Sequence, residues 1–237
     1  MRVVERDVLL GVLAVSAGSA DGWSYFGLGH AFVANMTGNT VFLGMSIFQK
    51  HGDPFHFLIS LACYAVGVIT GSLLTRNVHA ENNSELWPRA ISHTLLLEAL
   101  LLMLAEAGWI ITQLHVGSSS GTPIPLDLFL GTVAFAIGLQ SAAMLQLKIP
   151  GIVTTYISGT WTSLMNGLVR IKGSAPAQER QFEQRLLMQA GVLAVYFSSA
   201  VLTGWLFRYL PAGVGALSAL SVLFVALYGF ARHNTTP

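Results

Sequence analysis

Six long apolar stretches dominate this sequence, and they restrict it to structures that cross a lipid bilayer. Each is near or above the ~20 residues that an α-helix needs to span the hydrocarbon core. They run over about Val8–Leu28, Phe57–Leu74, Ala90–Leu114, Leu126–Leu147, Leu186–Tyr209 and Val214–Phe230. The 237 residues are 53% hydrophobic and only 10% charged, which is typical of an integral membrane protein. We therefore predict an all-α integral membrane protein with a single membrane domain, residues 1–237.

Composition excludes several functional classes. The formal net charge is +1, and basic residues gather only between Arg170 and Arg185, whereas a nucleic-acid-binding surface needs clustered Lys and Arg. The single cysteine, Cys63, permits neither a disulfide nor a cysteine-based metal site. No two histidines have a helix-face metal spacing such as that of HExxH. We therefore expect no nucleic-acid partner, no metal and no cofactor.

A polar motif occurs twice between the apolar stretches. The segment AFVANMTGNTVFLG (Ala31–Gly44) returns in degenerate form as GIVTTYISGTWTSL (Gly151–Leu164). Each copy is too polar and glycine-rich for an ordinary membrane helix, yet too apolar for a loop. Irregular backbone at membrane depth is tolerated only where it is buried in protein or lines a cavity. We interpret the two copies either as broken spans or as re-entrant segments.

The distribution of Lys and Arg favours re-entrant segments, because cytoplasmic loops are enriched in these residues. If both copies cross the bilayer, the chain has eight spans, with eight basic residues inside and four outside. If both are re-entrant, six spans remain and the count becomes ten inside and two outside. The residues that change side are Lys50, Arg76, Arg89 and Lys148. We therefore predict six spans with both termini cytoplasmic, and keep eight spans as the alternative.

The two halves of the chain resemble each other beyond the motif. Gly18–Asp21 occupies the place of Gly138–Ser141, and YAVGVITGSLLTR (Tyr64–Arg76) resembles YFSSAVLTGWLFR (Tyr196–Arg208). With six spans, the first motif enters from the outer side and the second from the inner side. The halves, about residues 6–115 and 126–232, are then inverted three-span repeats. The spacing Gly67-xxx-Gly71 indicates close helix packing.

Each motif is expected to begin a half-helix at mid-membrane. Gly38 and Gly159 break an extended stretch, after which 40–48 and 161–169 can be helical. The positive ends of two such half-helices, with nearby hydroxyl and amide groups, suit a small polar or anionic solute. The alternative is that these small residues only let helices pack. The candidate solute-binding residues are Asp21, Asn35, Thr37, Gly38, Asn39, Thr40, Gln140, Thr155, Ser158, Gly159 and Thr160.

Acidic residues within the spans are candidates for proton or cation coupling. A carboxylate at the centre of a membrane helix costs ~2.5–3.5 kcal/mol on insertion scales, so it normally faces the protein interior. Asp21 precedes the first motif, and the position that corresponds to it in the second half is Ser141. Asp21 could also cap the motif backbone. Glu98 lies well inside the third apolar stretch and is either a coupling residue or the partner of Arg76 or Arg208 in an ion pair.

GSADGWSYFGLGHAFVANMTGNTVFLG, together with GLQSAAMLQLKIPGIVTTYISGTWTSL, resembles the YoaK family of bacterial inner-membrane proteins over nearly the whole chain. The family pattern is an acidic or polar residue after small residues, a Met-Thr-Gly-Asn-Thr block, and a second block of the Gly-Leu-Gln and Thr-Gly-Thr type. Here those places are taken by Asp21, Met36–Thr40, Gly138–Gln140 and Ser158–Thr160. The resemblance implies a multi-span protein of the bacterial inner membrane, of a kind commonly assigned to small-molecule transport. It implies no substrate.

Three functions compete at this point. The first is a secondary transporter or channel-like permease whose partners are a small solute, a proton or cation, and the lipid bilayer. The second is a membrane scaffold or assembly protein. The third is an intramembrane enzyme, but the sequence has no GxSx-type nucleophile elbow and only one acid near a re-entrant segment. We expect transport rather than enzymatic activity, and an oligomer is compatible with the sequence.

Overall fold

The helices of this chain were located in a computed structural model that describes residues 1, 3–48, 54–77, 86–115, 125–147, 149, 157–170 and 176–234. Within these residues eight α-helices occur and no strand. They are α1 (Val3–Gly27), α2 (Met36–Ser46), α3 (Pro54–Thr75), α4 (Arg89–His115), α5 (Leu126–Gln146), α6 (Ile157–Arg170), α7 (Pro176–Tyr209) and α8 (Ala216–Asn234). A short 3-10 turn, Pro211–Gly213, precedes α8. The all-α prediction is confirmed for the described part of the chain.

Five described segments are long and apolar enough to cross a membrane. They are Pro54–Thr75, Arg89–Leu114, Leu126–Gln146, Phe182–Tyr209 and Pro211–Arg232, and they coincide with five of the six predicted spans. The remaining predicted span, Val8–Leu28, does form a helix, α1, but α1 is not among these five. The reason is its composition, because α1 carries Ser16, Ser19, Asp21 and Ser24, all of them buried.

The helices differ in how much of their surface other helices cover. In the 18-residue apolar stretch of α5, 78% of the residues are buried within the protein, whereas in that of α3 only 17% are buried. The outward surface of α3 is formed by side chains such as Val66, Ile69 and Leu73. Thus α1 and α5 form the interior of the bundle, where polar residues can find protein partners, while α3 presents apolar residues outward.

Helix contacts follow a regular scheme. Helix α1 packs along α7 and also against α8, while α5 packs along α3 and also against α4. Helices α4 and α8 pack on each other. The short helix α2 lies against α3, and the short helix α6 lies against α7.

Glycines bring the two main helix pairs together. A Cβ atom added at Gly18 would overlap the backbone carbonyl of Tyr196, and one at Gly138 would overlap the carbonyl of Tyr64. Gly67 likewise faces the backbone of Phe135. Small residues let membrane helices approach until their backbones touch. The packing role that the sequence predicts for Gly67-xxx-Gly71 is therefore confirmed, since the Cβ of Ala142 would lie only 2.8 Å from a Cβ at Gly71.

Helices α2 and α6 are too short to cross a membrane by themselves. They contain 11 and 14 residues, or about 16 and 21 Å at the usual rise, against about 30 Å of hydrocarbon. Both begin earlier than predicted, so that Gly38 and Gly159 lie within the first turn instead of breaking the chain before it. Helix α2 starts early because the side chain of Asn35 caps it by accepting a hydrogen bond from the Gly38 amide. Left-handed backbone occurs instead between α1 and α2, at Gly29 (φ 95°) and His30 (φ 60°).

We predict that Gly18→Ala destabilises the protein by about 1–3 kcal/mol, the usual range for overpacking. The added Cβ would force α7 away from α1 at Tyr196. Denaturant unfolding in detergent measures the change.

Gly11→Ala on the same helix is the matched control, because nothing lies within 4 Å of a Cβ at Gly11. It should be neutral or stabilising by up to about 1 kcal/mol, since Ala has the higher helix propensity. Equal stability of the two variants would contradict the close α1–α7 contact.

Candidate functional site

A cavity lies where the first turns of α2 and α6 meet, and its volume is about 370 Å³. From the first half of the chain it is lined by Ala34, Asn35, Met36, Thr37 and Tyr64. From the second half it is lined by Ser141, Leu145, Ile157, Ser158 and Tyr196. Both copies of the motif therefore contribute to one cavity, and the two halves contribute five described residues each.

The non-helical segment before α2 is held by Asp21. One carboxylate oxygen, Oδ1, accepts the amides of Val33 (2.8 Å), Ala34 (2.7 Å) and Asn35 (3.4 Å). The other oxygen, Oδ2, accepts the hydroxyl of Tyr196 on α7. Asp21 is 4% exposed and is not among the described residues that line the cavity. It lies one layer behind the wall, in the backbone-capping position that the sequence left open as an alternative.

Asn39 has a similar supporting position. Its Oδ1 accepts the Phe32 amide at 2.8 Å, and its Nδ2 donates to the Phe32 carbonyl at 2.6 Å. The same Nδ2 donates to the hydroxyl of Ser60 on α3 at 3.0 Å. The side chain thus pairs with both backbone groups of Phe32, as a neighbouring strand would, and it is completely buried. Asn39 fixes the segment rather than facing the cavity.

Asn35 and Thr37 are the motif residues that face the cavity from α2. Asn35 accepts the Gly38 amide at 3.2 Å and so caps the helix while it lines the cavity wall. Thr37 is exposed at the same wall. Thr40, one turn further on, donates its hydroxyl to the Met36 carbonyl at 2.9 Å and is not among the described lining residues.

The second copy contributes fewer described groups. Ser158 lines the cavity and is exposed to it, while Gly159 is half-buried and Thr160 is buried. Thr155 lies outside the described residues. Gln140 is completely buried, and its Nε2 donates to the Leu13 carbonyl at 3.2 Å, which joins α5 to α1. Gln140 is therefore placed as a link between helices rather than at the cavity.

Two tyrosines, Tyr64 and Tyr196, also line the cavity, and neither was predicted from the sequence. Tyr64 on α3 donates its hydroxyl to Ser141 Oγ at 2.8 Å, and Tyr196 on α7 donates to Asp21. Ser141 in turn donates to the Ile137 carbonyl at 3.0 Å. One signal was present, because each tyrosine begins one of the two similar segments, 64–76 and 196–208.

Glu98 lies apart from the cavity. It is completely buried on α4, and neither carboxylate oxygen has a hydrogen-bond partner among the described residues. The alternative reading of Glu98, an ion pair with Arg76 or Arg208, is wrong, because both arginines are exposed near the ends of their helices while Glu98 lies in the interior. Arg208 instead stacks over the Tyr209 ring at 5.9 Å.

Glu106, two turns beyond Glu98, has a structural partner. Its Oε2 accepts the Gly215 amide at 3.0 Å, just before α8 begins. A carboxylate at this position satisfies a free amide of the helix and interacts favourably with the positive end of the helix dipole. Glu106 therefore fixes the start of α8 against α4.

Apolar helices around a cavity that two half-helices enter define a multi-span integral membrane protein. The sequence profile of a family described as "Protein of unknown function (DUF1275)" matches residues 9–228. The chain is also 31% identical over 201 residues to the UPF0700 transmembrane protein YoaK of Bacillus subtilis (strain 168), covering 83% of this chain and 82% of that one. This protein belongs to the DUF1275 family, which confirms the resemblance to YoaK. No solved structure matches it.

We predict that Asp21→Ala lowers the free energy of unfolding by about 2–6 kcal/mol. The substitution leaves the buried amides of Val33 and Ala34 without an acceptor, and each unsatisfied group costs about 1–3 kcal/mol. Denaturant unfolding in detergent, without any solute, measures the loss.

Ser141→Ala is the control at the corresponding place in the second half of the chain. It removes one neutral hydrogen bond from Tyr64, so it should cost only about 0.5–1.5 kcal/mol. If Asp21→Ala were no more damaging than Ser141→Ala, Asp21 would not be the residue that holds the segment.

Proposed function

We propose that this protein is a secondary transporter or a channel-like permease for a small polar or anionic solute, and not an enzyme. The observation that carries the proposal is the meeting of both motif copies at one cavity. Packing alone would not require the same interrupted segment twice, from opposite halves of the chain. A volume of about 370 Å³ lies within the usual ~300–1,000 Å³ range of small-molecule sites.

The proposal includes two inverted repeats, about residues 6–115 and 126–232, and the helix contacts support it. If α1, α2, α3 and α4 are exchanged with α5, α6, α7 and α8, the contact of α1 with α7 becomes that of α5 with α3. The contact of α2 with α3 becomes that of α6 with α7, and the contact of α4 with α5 becomes that of α8 with α1. Each of these pairs is in contact.

The side chains follow the same exchange. Gly18 packs on the Tyr196 carbonyl as Gly138 packs on that of Tyr64. The hydroxyl of Tyr196 binds Asp21, and that of Tyr64 binds Ser141, which stands at the corresponding position. An internal repeat built around a central cavity is the usual architecture of secondary transporters. The acid is present in one half only, which supports a coupling role for it.

The two corresponding helix pairs, α1–α7 and α5–α3, differ in how closely they pack along their first halves. A groove of about 470 Å³ separates the first halves of α1 and α7, and Gly11 and Gly191 are part of its wall. At the corresponding place between α3 and α5, the sulfur of Cys63 would lie 3.1 Å from a Cβ at Gly131, and His56 approaches Asp127 at 3.3 Å. Repeats in different states of closure are what alternating access requires. In the proposed orientation the open groove is cytoplasmic.

We predict that exchanging Thr37 for Val lowers solute flux at least tenfold in liposomes, because it replaces a hydroxyl in the cavity wall by a methyl group. Flux is measured by uptake of a radiolabelled solute, chosen from a metabolite panel by the thermal stabilisation it gives. Thr132→Val is the matched control, since Thr132 is half-buried, is not among the described residues that line the cavity, and donates its hydroxyl to the Leu128 carbonyl of its own helix.

Flux that is unchanged in Thr37→Val would remove the cavity from the transport path. If no solute stabilises the protein, a scaffold role replaces the proposal.

Coupling is assigned to Asp21 and to Glu98, the buried acid without a described partner. Glu98→Gln should therefore make uptake insensitive to an imposed proton gradient.

The proposal places the chain in the bacterial inner membrane, with six spans, two re-entrant segments and both termini cytoplasmic. We predict that, in a Cys63→Ala background, Lys50→Cys is labelled from the periplasmic side and Lys148→Cys from the cytoplasmic side. Membrane-impermeant thiol reagents on spheroplasts and on inverted vesicles measure this. The reverse assignment would establish eight spans.

A further inference from the structure

The cavity wall contains no charged side chain among its described residues. Its hydrogen-bonding groups are neutral and come from Asn35, Thr37, Ser141 and Ser158, together with the two tyrosines. Among these described residues a fully charged solute would find no countercharge, and a charge that leaves water without one is costly at low dielectric.

Most backbone amides at the start of α2 already have hydrogen-bond acceptors within the protein. Three of its first four amides have acceptors, since Met36 donates to the Ala34 carbonyl at 3.1 Å, Gly38 to the Asn35 side chain at 3.2 Å and Asn39 to the Asn35 carbonyl at 3.4 Å. Anion sites at helix starts depend on amides that point free at the ligand. This helix start therefore offers an anion much less than its sequence suggests.

Asp21 places a carboxyl group directly behind the wall, and this group is negatively charged when it is ionised. Its oxygens are bonded to the amide of Asn35 and the hydroxyl of Tyr196, two residues that line the cavity. Three amides donate to one oxygen, as they would to a carboxylate. In its ionised form, Asp21 offsets the roughly half-unit positive ends of α2 and α6, both of which begin at the cavity. The nearly balanced field favours neither an anion nor a cation.

The tyrosines give the cavity its shape preference. Tyr64 and Tyr196 reach it from opposite halves of the chain, and each hydroxyl is anchored by a hydrogen bond. Anchored rings offer flat apolar surfaces without losing further side-chain freedom, and stacking on such rings stabilises a planar ligand beyond the burial of its area. Ala34, Met36, Leu145 and Ile157 complete an apolar lining.

We propose that the solute is a small, uncharged, planar ring that carries an amide or similar hydrogen-bonding group, stacked on Tyr64 or Tyr196 and bonded by Asn35, Thr37 and Ser158. This inference rests on the proposed function and narrows its solute class, because it excludes the anion that the half-helix ends alone would favour.

The preference for an uncharged solute can be tested with one ring in three charge states. Nicotinamide is neutral, nicotinate is an anion and 1-methylnicotinamide is a cation, while cyclohexanecarboxamide keeps the amide without the planar ring. Isothermal titration of the full-length protein in detergent should show at least tenfold tighter binding of nicotinamide than of each of the other three. Preference for nicotinate or for 1-methylnicotinamide, equal binding of cyclohexanecarboxamide, or no binding of nicotinamide at 10 mM would each overturn the proposal.

Substitutions at two residues, Tyr64 and Asp21, show which side chains determine the solute preference. Tyr64→Leu should weaken nicotinamide binding about fivefold to tenfold, and Tyr64→Phe, which keeps the ring, should recover most of it. Asp21→Asn keeps an oxygen for the amides of Val33 and Ala34 but removes the charge, so the affinity ratio of nicotinate to nicotinamide should rise about tenfold. An unchanged ratio in folded Asp21→Asn protein would overturn the charge argument.

The outcomes separate this inference from the proposed function. Tight binding of nicotinate with flux into liposomes would overturn the solute class and leave transport standing. Tight binding of nicotinamide without flux of any ring would leave the solute class standing and overturn transport.

Discussion

The bonding of Asp21 to the backbone before α2 is the interaction on which the rest of the structure depends. A non-helical segment inside a bilayer has amides with no helical partner, and each buried amide without an acceptor is costly. Asp21 supplies one oxygen to three of these amides and the other to Tyr196. A single side chain therefore holds together α1, the segment 33–35 and α7.

The two sides of the first motif divide their tasks. Asp21 holds residues 33–35 from the side of α1, while Asn39 and Ser60 hold Phe32 from the side of α3. With both sides fixed, Asn35 can cap α2 and still present itself to the cavity. The cavity wall is thus preorganised by bonds made behind it, and preorganisation lowers the cost of binding for any ligand that enters such a cavity.

The sequence predicted the elements better than the directions of individual side chains. Apolar length alone determines where helices form in a membrane, so five spans were found within a few residues, and the doubled motif predicted one shared site. From the sequence alone, Asn35 and Asn39 were equivalent candidates for the cavity wall. Helix α2 begins earlier than predicted, and this start turns Asn35 toward the cavity and Asn39 toward Phe32. The tyrosines were missed because an aromatic residue in an apolar helix is usually packing. Neither Arg76 nor Arg208 lies beside Glu98, and this follows from where the helices end, which is difficult to predict from sequence.

Helix packing and cavity shape cannot vary independently in this molecule, because the same tyrosines take part in both. The carbonyl of Tyr196 touches Gly18 while its hydroxyl binds Asp21, and the carbonyl of Tyr64 touches Gly138 while its hydroxyl binds Ser141. A shift of α7 along α1 therefore moves a ring in the cavity wall. The two pairs also differ in strength, since a hydrogen bond to a carboxylate is roughly twice as strong as one to a hydroxyl. The α1–α7 pair is thus held more firmly at its tyrosine, and less closely along its first half, than the α3–α5 pair.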